Sequence, residues 1–195
     1  MSDQAFPRTR HVQIGYSALE DRVRLRLELV GQQGEVAGWL PRRVLMRLTG
    51  RLNEALRRSH PATEGEPAAD AVMALEHQAA RSELAGQRQA HSGEAATAEG
   101  AAAEEGEDAE PEEPAAYLVT EARLEVPAGD QVLIGLLGHP MPTVFAACGE
   151  SVPVAGLSLS RSQAHELLRM LAEQARQADW GLPRRLGWLA RLRRG

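Results

Sequence analysis

The sequence predicts an α+β protein made of two related halves, each an antiparallel β-meander followed by a helix. Residues 22–30 alternate between apolar and charged side chains, which is typical of a half-buried strand. Two segments, 41–58 and 160–180, instead repeat apolar side chains every three or four residues, as amphipathic helices do. The halves are separated by residues 89–116, a stretch dominated by Ala, Glu, Gly and Pro.

The first half begins with strands predicted at 11–15, 22–30 and 35–40, the last two joined by a turn at 31–34. The core face of the second strand consists of Val23, Leu25, Leu27 and Leu29. Pro41 suits the first turn of the helix, which ends near Arg58. Its buried stripe consists of Leu45, Leu48, Leu52 and Leu56. A weaker helix over 68–84 is expected to bury one face made of Val72, Leu75 and Ala79.

The second half is predicted to have strands at 118–126, 131–137 and 143–147, and another ending near Leu159. Ser160 and Gln163 form a capping box that opens the last long helix. Its core face is expected to hold Ala164, Leu167, Leu168, Leu171 and Ala175. Val-Ala-Gly occurs at 36–38 and again at 154–156, which predicts an internal duplication. The halves would then pack about a pseudo-twofold axis, in one sheet or in two.

Charge divides the chain unevenly. Residues 1–60 carry eleven Arg and six acids, residues 61–116 two Arg and fourteen acids, and residues 117–195 nine Arg and seven acids. Residues 94–113 carry nine acids and no basic or large apolar side chain, so 89–116 is predicted to be a disordered linker. The expected organisation is an N-terminal half (1–88), this linker (89–116), a C-terminal half (117–180) and a basic tail (181–195).

No catalytic constellation stands out. The sequence lacks a phosphate-binding loop, a dinucleotide fingerprint and a nucleophile elbow, and its six histidines have no ligand-like spacing. Cys148, the single cysteine, is interpreted as a small apolar residue near a strand end. We therefore expect no enzyme, no cofactor and no metal site. Because neither a secretory signal nor an apolar run long enough to span a bilayer is present, the predicted location is the cytoplasm.

Two basic features are the candidate binding sites. The first is a stripe along the first long helix, a basic surface made of Arg43, Arg47, Arg51 and Arg58. It is either an ordinary solvated face, a surface masked by the acidic linker, or a nucleic-acid groove. The second is the tail, whose proposed partner-binding residues are Arg184, Arg185, Trp188, Leu189, Arg191, Arg193 and Arg194. A basic amphipathic end of this kind suits a protein groove, an anionic membrane surface, or docking on its own domain.

The polar turn Glu20-Asp21-Arg22 is interpreted as solvated, with ion pairs to Arg42 or Arg43, or else as a recognition epitope. The segments containing Tyr-Ser-Ala-Leu-Glu-Asp-Arg (16–22), Trp-Leu-Pro-Arg-Arg (39–43) and Leu-Glu-His-Gln-Ala (75–79) resemble an uncharacterised family of proteobacterial proteins. The resemblance covers most of the chain outside the linker, and it implies a bacterial origin without an activity or site residues. This chain has Pro41 where a threonine helix cap is expected.

These observations favour a non-enzymatic protein-interaction module, an adaptor or assembly factor with an unidentified protein partner. The alternative is a nucleic-acid-binding regulator that uses the Arg stripe, and binding of the tail to a membrane surface is a weaker option. The apolar run at 132–137 is covered within the chain or at a homodimer interface. A small enzyme would require a deep pocket containing Glu20, Asp21 or a histidine.

Overall fold

The α+β architecture is confirmed by a computed structural model that describes residues 5–58, 71–83, 114–127, 131–141 and 150–182. The strands are β1 (Thr9–Ser17), β2 (Arg22–Leu29), β3 (Glu35–Leu40), β4 (Ala115–Glu125), β5 (Gln131–Pro140) and β6 (Val152–Ser160). The helices are α1 (Arg42–Arg58), α2 (71–83) and α3 (Arg161–Gln177). None of the helices in these ranges is long and apolar enough to cross a membrane.

All six strands form one sheet in sequential order, so the halves share a sheet. Each half is an antiparallel meander, and the two are joined by parallel pairing of β3 with β4. The β2–β3 turn contains Gly31 and Gly34, both with φ near +80°, a conformation that glycine adopts without steric cost. The predicted hairpin at this turn is confirmed.

The core lies between the sheet and α1 and α3. The predicted apolar faces of β2, α1 and α3 are confirmed, since all their named residues are buried in one cluster. The capping box of Ser160 and Gln163 is also present, with Gln163 N donating to Ser160 Oγ and Ser160 N donating to Gln163 Oε1. Sequence periodicity therefore located the core of both halves.

The prediction for the face of α2 was wrong. Leu75 is 66% exposed and Ala79 is exposed, whereas Met73, His77 and Ala80 are buried. The helix is rotated because Glu76, on its inner side, accepts hydrogen bonds from Arg161 of α3. A paired carboxylate thus set the orientation of α2 more strongly than its weak apolar pattern did.

Other boundaries shift modestly. β4 includes 115–116, which were assigned to the linker, and β5 continues to Pro140. The predicted strand at 143–147, Cys148 and the acidic stretch 94–113 lie outside the described residues.

The two halves share one irregularity. β1 has a register shift between Thr9 and His11, and β4 has one between Val119 and Glu121, at the corresponding place in each meander. β5 and β6 have a further shift, between Leu136 and Leu137, that β2 and β3 lack, so the internal duplication stays a prediction.

Candidate functional site: the groove between the first and last strands

The outer edges of β1 and β6 face each other but are barely joined. Each strand pairs with one neighbour, β1 with β2 and β6 with β5. We call the boundary between these two edges the open seam. Across it, the described residues form one isolated parallel bridge, Arg8 with Gly156, in which Gly156 N donates to Pro7 O at 2.7 Å. Beyond that bridge no ladder joins the two edges in the part of the chain that the structure describes, so the outward main-chain groups of β1 and β6 have no strand partner there.

A groove of about 280 Å³ occupies the space where the strands diverge, with α3 as its floor. Its apolar lining consists of Val12, Leu157, Leu159, Leu167 and Met170. Its polar lining consists of Thr9, Arg10, His11, Ser158, Gln163 and Glu166. Apolar walls beside unpaired strand edges are what a bound peptide segment requires.

Two ionised side chains at the groove are already neutralised within the protein. Arg10 Nη2 donates to Glu28 Oε2 at 2.8 Å, and this bond holds the pKa of Glu28 below its usual value. Arg169 forms two hydrogen bonds to Glu166, at 2.7 and 2.9 Å, which raise the pKa of the guanidinium. The groove therefore presents little uncompensated charge to a ligand.

Thr9 contributes an orphan polar atom to the groove. Its Oγ1 is shielded from solvent and has no hydrogen-bond partner among the residues that the structure describes. A buried hydroxyl without a partner costs roughly 1–3 kcal/mol.

Phe6 closes the other end of the seam. A Cβ added at Gly135 or Gly156, which pair across β5 and β6, would collide with Phe6 at 2.6–2.8 Å. The ring therefore fits a notch that exists because both positions lack side chains. This contact holds the N-terminal segment against β6 at the bridge.

A second polar cluster was missed by the sequence analysis. Arg161 Nη2 donates to Glu76 Oε2 at 2.7 Å and to Leu56 O at 2.8 Å, and His165 Nε2 lies 3.2 Å from Glu76 Oε2. Burial lowers the pKa of His165 to about 4, with Arg161 and His77 adding to the shift and Glu76 opposing it. The cluster joins the end of α1 to α2 and α3, outside the groove.

Two of the six histidines lie close together in the structure, although their spacing in the sequence did not indicate it. The His77 and His165 rings are 6.3 Å apart, and burial also lowers the pKa of His77. In the described parts of the chain, however, no group of three or more His, Cys, Asp or Glu side chains could hold a metal ion.

The turn at 17–22 has a structural role that its sequence did not reveal. Asp21 Oδ1 accepts hydrogen bonds from Tyr16 Oη at 2.8 Å and from Trp180 Nε1 at 3.1 Å. Glu20 pairs with Arg22, so the expected ion pairs with Arg42 or Arg43 were wrong. The turn thereby fixes the end of α3, while Leu19 at its tip remains 94% exposed.

The Arg stripe is exposed along its length. Arg43, Arg47 and Arg51 have no ion pair with any described residue, whereas Arg58 pairs with Glu54 at 2.7 Å. Arg24 and Arg26 lie on the opposite face of the sheet from α1, so the strand arginines do not extend the stripe. The proposed tail residues, Arg184 to Arg194, lie outside the described residues.

No protein-family model, curated protein or solved structure shows significant similarity to this chain.

Proposed function

We propose that the protein is a non-enzymatic interaction module, an adaptor or assembly factor that binds a protein partner in the groove between β1 and β6. The observation that carries the proposal is the open seam, two facing strand edges beside an apolar wall. Unpaired edges readily pair with another chain, and natural proteins otherwise cover or blunt them. An edge left open next to apolar side chains is therefore well suited to recognition.

The C-terminal tail is the second part of this proposed interface. Trp180 is buried and Leu182 packs against the core, so the tail begins from a fixed point. Its five Arg and Trp188 would then add contacts next to the folded body.

Co-purification from a nuclease-treated native lysate tests both parts. Met170 lines the groove, and Met46 is a matched control because it is a half-buried methionine on the other long helix. A partner recovered near one-to-one should be lost with Met170→Arg and retained with Met46→Arg. Deletion of 183–195 should weaken its recovery. Equal recovery with both methionine variants would remove the groove from the interface.

A nucleic-acid-binding regulator is the second candidate, favoured by the exposed Arg43, Arg47 and Arg51, which form no ion pair with any described residue. Affinity for duplex DNA or RNA should then fall steeply with salt, because binding releases condensed counterions. Arg47→Gln with Arg51→Gln should weaken it at least tenfold at low salt. The control, Arg22→Gln with Arg24→Gln, removes the same charge from the opposite face. No binding to either duplex at low salt would exclude this function.

A further inference from the structure

We propose that the groove binds its partner by strand insertion, taking an extended segment with uncharged side chains between β1 and β6. This inference rests on the proposed function and specifies the ligand. The inserted segment would complete the closure of the sheet that the Arg8–Gly156 bridge begins.

The direction of the main-chain groups on β6 supports insertion. Gly156 N points across the seam, since it donates to Pro7 O. Side chains and main-chain groups alternate along a strand, so Ser158, two residues later, also directs its N–H and C=O toward the groove. Its neighbours Leu157 and Leu159 direct theirs to β5. Ser158 is therefore the position where a ligand's main chain would bond to β6.

The bridge also fixes how an inserted strand would run. Because β1 and β6 are parallel to each other at Arg8–Gly156, a strand between them is parallel to both or antiparallel to both. Alternate side chains of the ligand would face the apolar groups of α3, Leu167 and Met170. Methionine adapts its shape readily, which suits a wall that accepts several apolar side chains.

The ion pairs at the groove indicate which kind of segment can bind there. Glu166 is the carboxylate that lines the groove and is already bonded to Arg169, while Arg10 is bonded to Glu28. An uncharged segment can enter without breaking these pairs. The protein's own tail, with five Arg and no acid at 183–195, would find no unpaired carboxylate there. The groove is thus better matched to a partner's segment than to the tail.

The test uses a phage-displayed library of random dodecapeptides, selected on the full-length protein. Enriched peptides should alternate apolar and uncharged polar residues. Ser158→Pro removes the N–H that faces the groove while leaving the ladder to β5, and it should weaken binding at least tenfold. Ser158→Ala keeps the N–H and should change binding by less than twofold.

A second measurement covers the case in which Ser158→Pro does not fold. In the wild-type protein, a saturating synthetic peptide of enriched sequence should slow exchange of the Ser158 amide at least tenfold. Unchanged exchange, or no enrichment, would overturn strand insertion. Binding that appears only after deletion of 183–195 would make the tail the occupant, and a dimer lost with Ser158→Pro would make a second copy the occupant. Either would overturn the assignment to a partner.

This outcome can be separated from the proposed function. If a lysate partner is lost with Met170→Arg but retained with Ser158→Pro, the groove binds a partner by side-chain contacts and strand insertion is wrong.

Discussion

The sheet has two seams between its halves, and they differ although the halves have the same order of elements. At the first seam, β3 and β4 pair in parallel over four residues, from Val36 with Ala115 to Trp39 with Leu118. At the second, β6 and β1 meet in one bridge in the described chain. One register shift recurs in both meanders, whereas a second, between Leu136 and Leu137, occurs in the C-terminal meander and has no counterpart between β2 and β3. We infer that folding requires the β3–β4 seam to be closed, whereas the β6–β1 seam is open at the groove that we propose as a binding site.

The helix starts differ in the same way. α1 and α3 each begin with an arginine that follows a strand containing Val-Ala-Gly, Arg42 and Arg161 respectively. Arg161 ties α3 to Glu76 and to the end of α1, while Arg42 is exposed and has no partner among the described residues. The first arginine of α3 is thus part of the packing between helices, whereas the first arginine of α1 is not.

The largest expected effect comes from displacing β4, one of the two strands of the closed seam. A Cβ at Gly138 would collide with the main chain of β4, lying 3.0 Å from the carbonyl carbon of Leu118 and closer still to its oxygen. Leu118 also pairs with Trp39 across the closed seam, so a displacement of β4 would weaken that pairing too. Gly138→Ala should lower the free energy of unfolding by at least about 3 kcal/mol, measured by urea denaturation.

Gly135→Ala is the matched substitution at the open seam. There the obstacle is the Phe6 ring, which can swing aside with the N-terminal segment. We expect a loss of about 1 kcal/mol or less. Equal losses for the two glycines would mean that the open seam stabilises the fold as much as the closed one does.

The next effect is a dependence of stability on pH, which arises from the polar cluster that contains Glu76, Arg161 and His165. The pKa of His165 is near 6.5 when unfolded and about 4 when folded, so the unfolded chain binds more protons between these values. Stability should therefore fall as pH is lowered from 6.5 to 4, by as much as about 3 kcal/mol. His77 shifts in the same direction.

Urea denaturation at several pH values measures this slope. The control is His165→Gln, which removes the titration of His165 and should reduce the slope between pH 6.5 and 4 to the contribution of the remaining groups, among them His77. A slope unchanged in that variant would assign the acid sensitivity to other groups.

The sequence was informative where a pattern is local. The alternation of Val23 to Leu29, the stripes of α1 and α3 and the Ser160 capping box were all read correctly. The groove could not be predicted, because β1 and β6 are far apart in the sequence and no local pattern indicates that their edges diverge. The inward position of Glu76 likewise involves Arg161, a residue remote in sequence.

A smaller difference in stability is expected between substitutions of Arg161 and Arg42. Arg161→Ala removes three hydrogen bonds in a partly buried site and leaves Glu76 without its guanidinium. We expect a loss of about 2 kcal/mol in unfolding free energy, against about 0.5 kcal/mol or less for the exposed Arg42→Ala. If both variants lose the same amount, the two helix starts are energetically equivalent and the asymmetry is confined to the strands.

The smallest effect should come from Phe6, which holds the end of the open seam. Phe6→Ala removes a half-buried ring from the notch at Gly135 and Gly156, so we expect a loss of about 1 kcal/mol or less in global stability. Locally the effect is larger, because the Gly156 N–H to Pro7 O bond loses the contact that holds it. Amide exchange at Gly156 should accelerate at least tenfold, while the amides of β3 and β4 at the closed seam stay protected. Acceleration at both seams would show that they open together, and the groove could not then exchange ligands without loosening the whole sheet. Acceleration at Gly156 alone would make the open seam an independent unit, able to widen for an incoming strand at little cost to the fold.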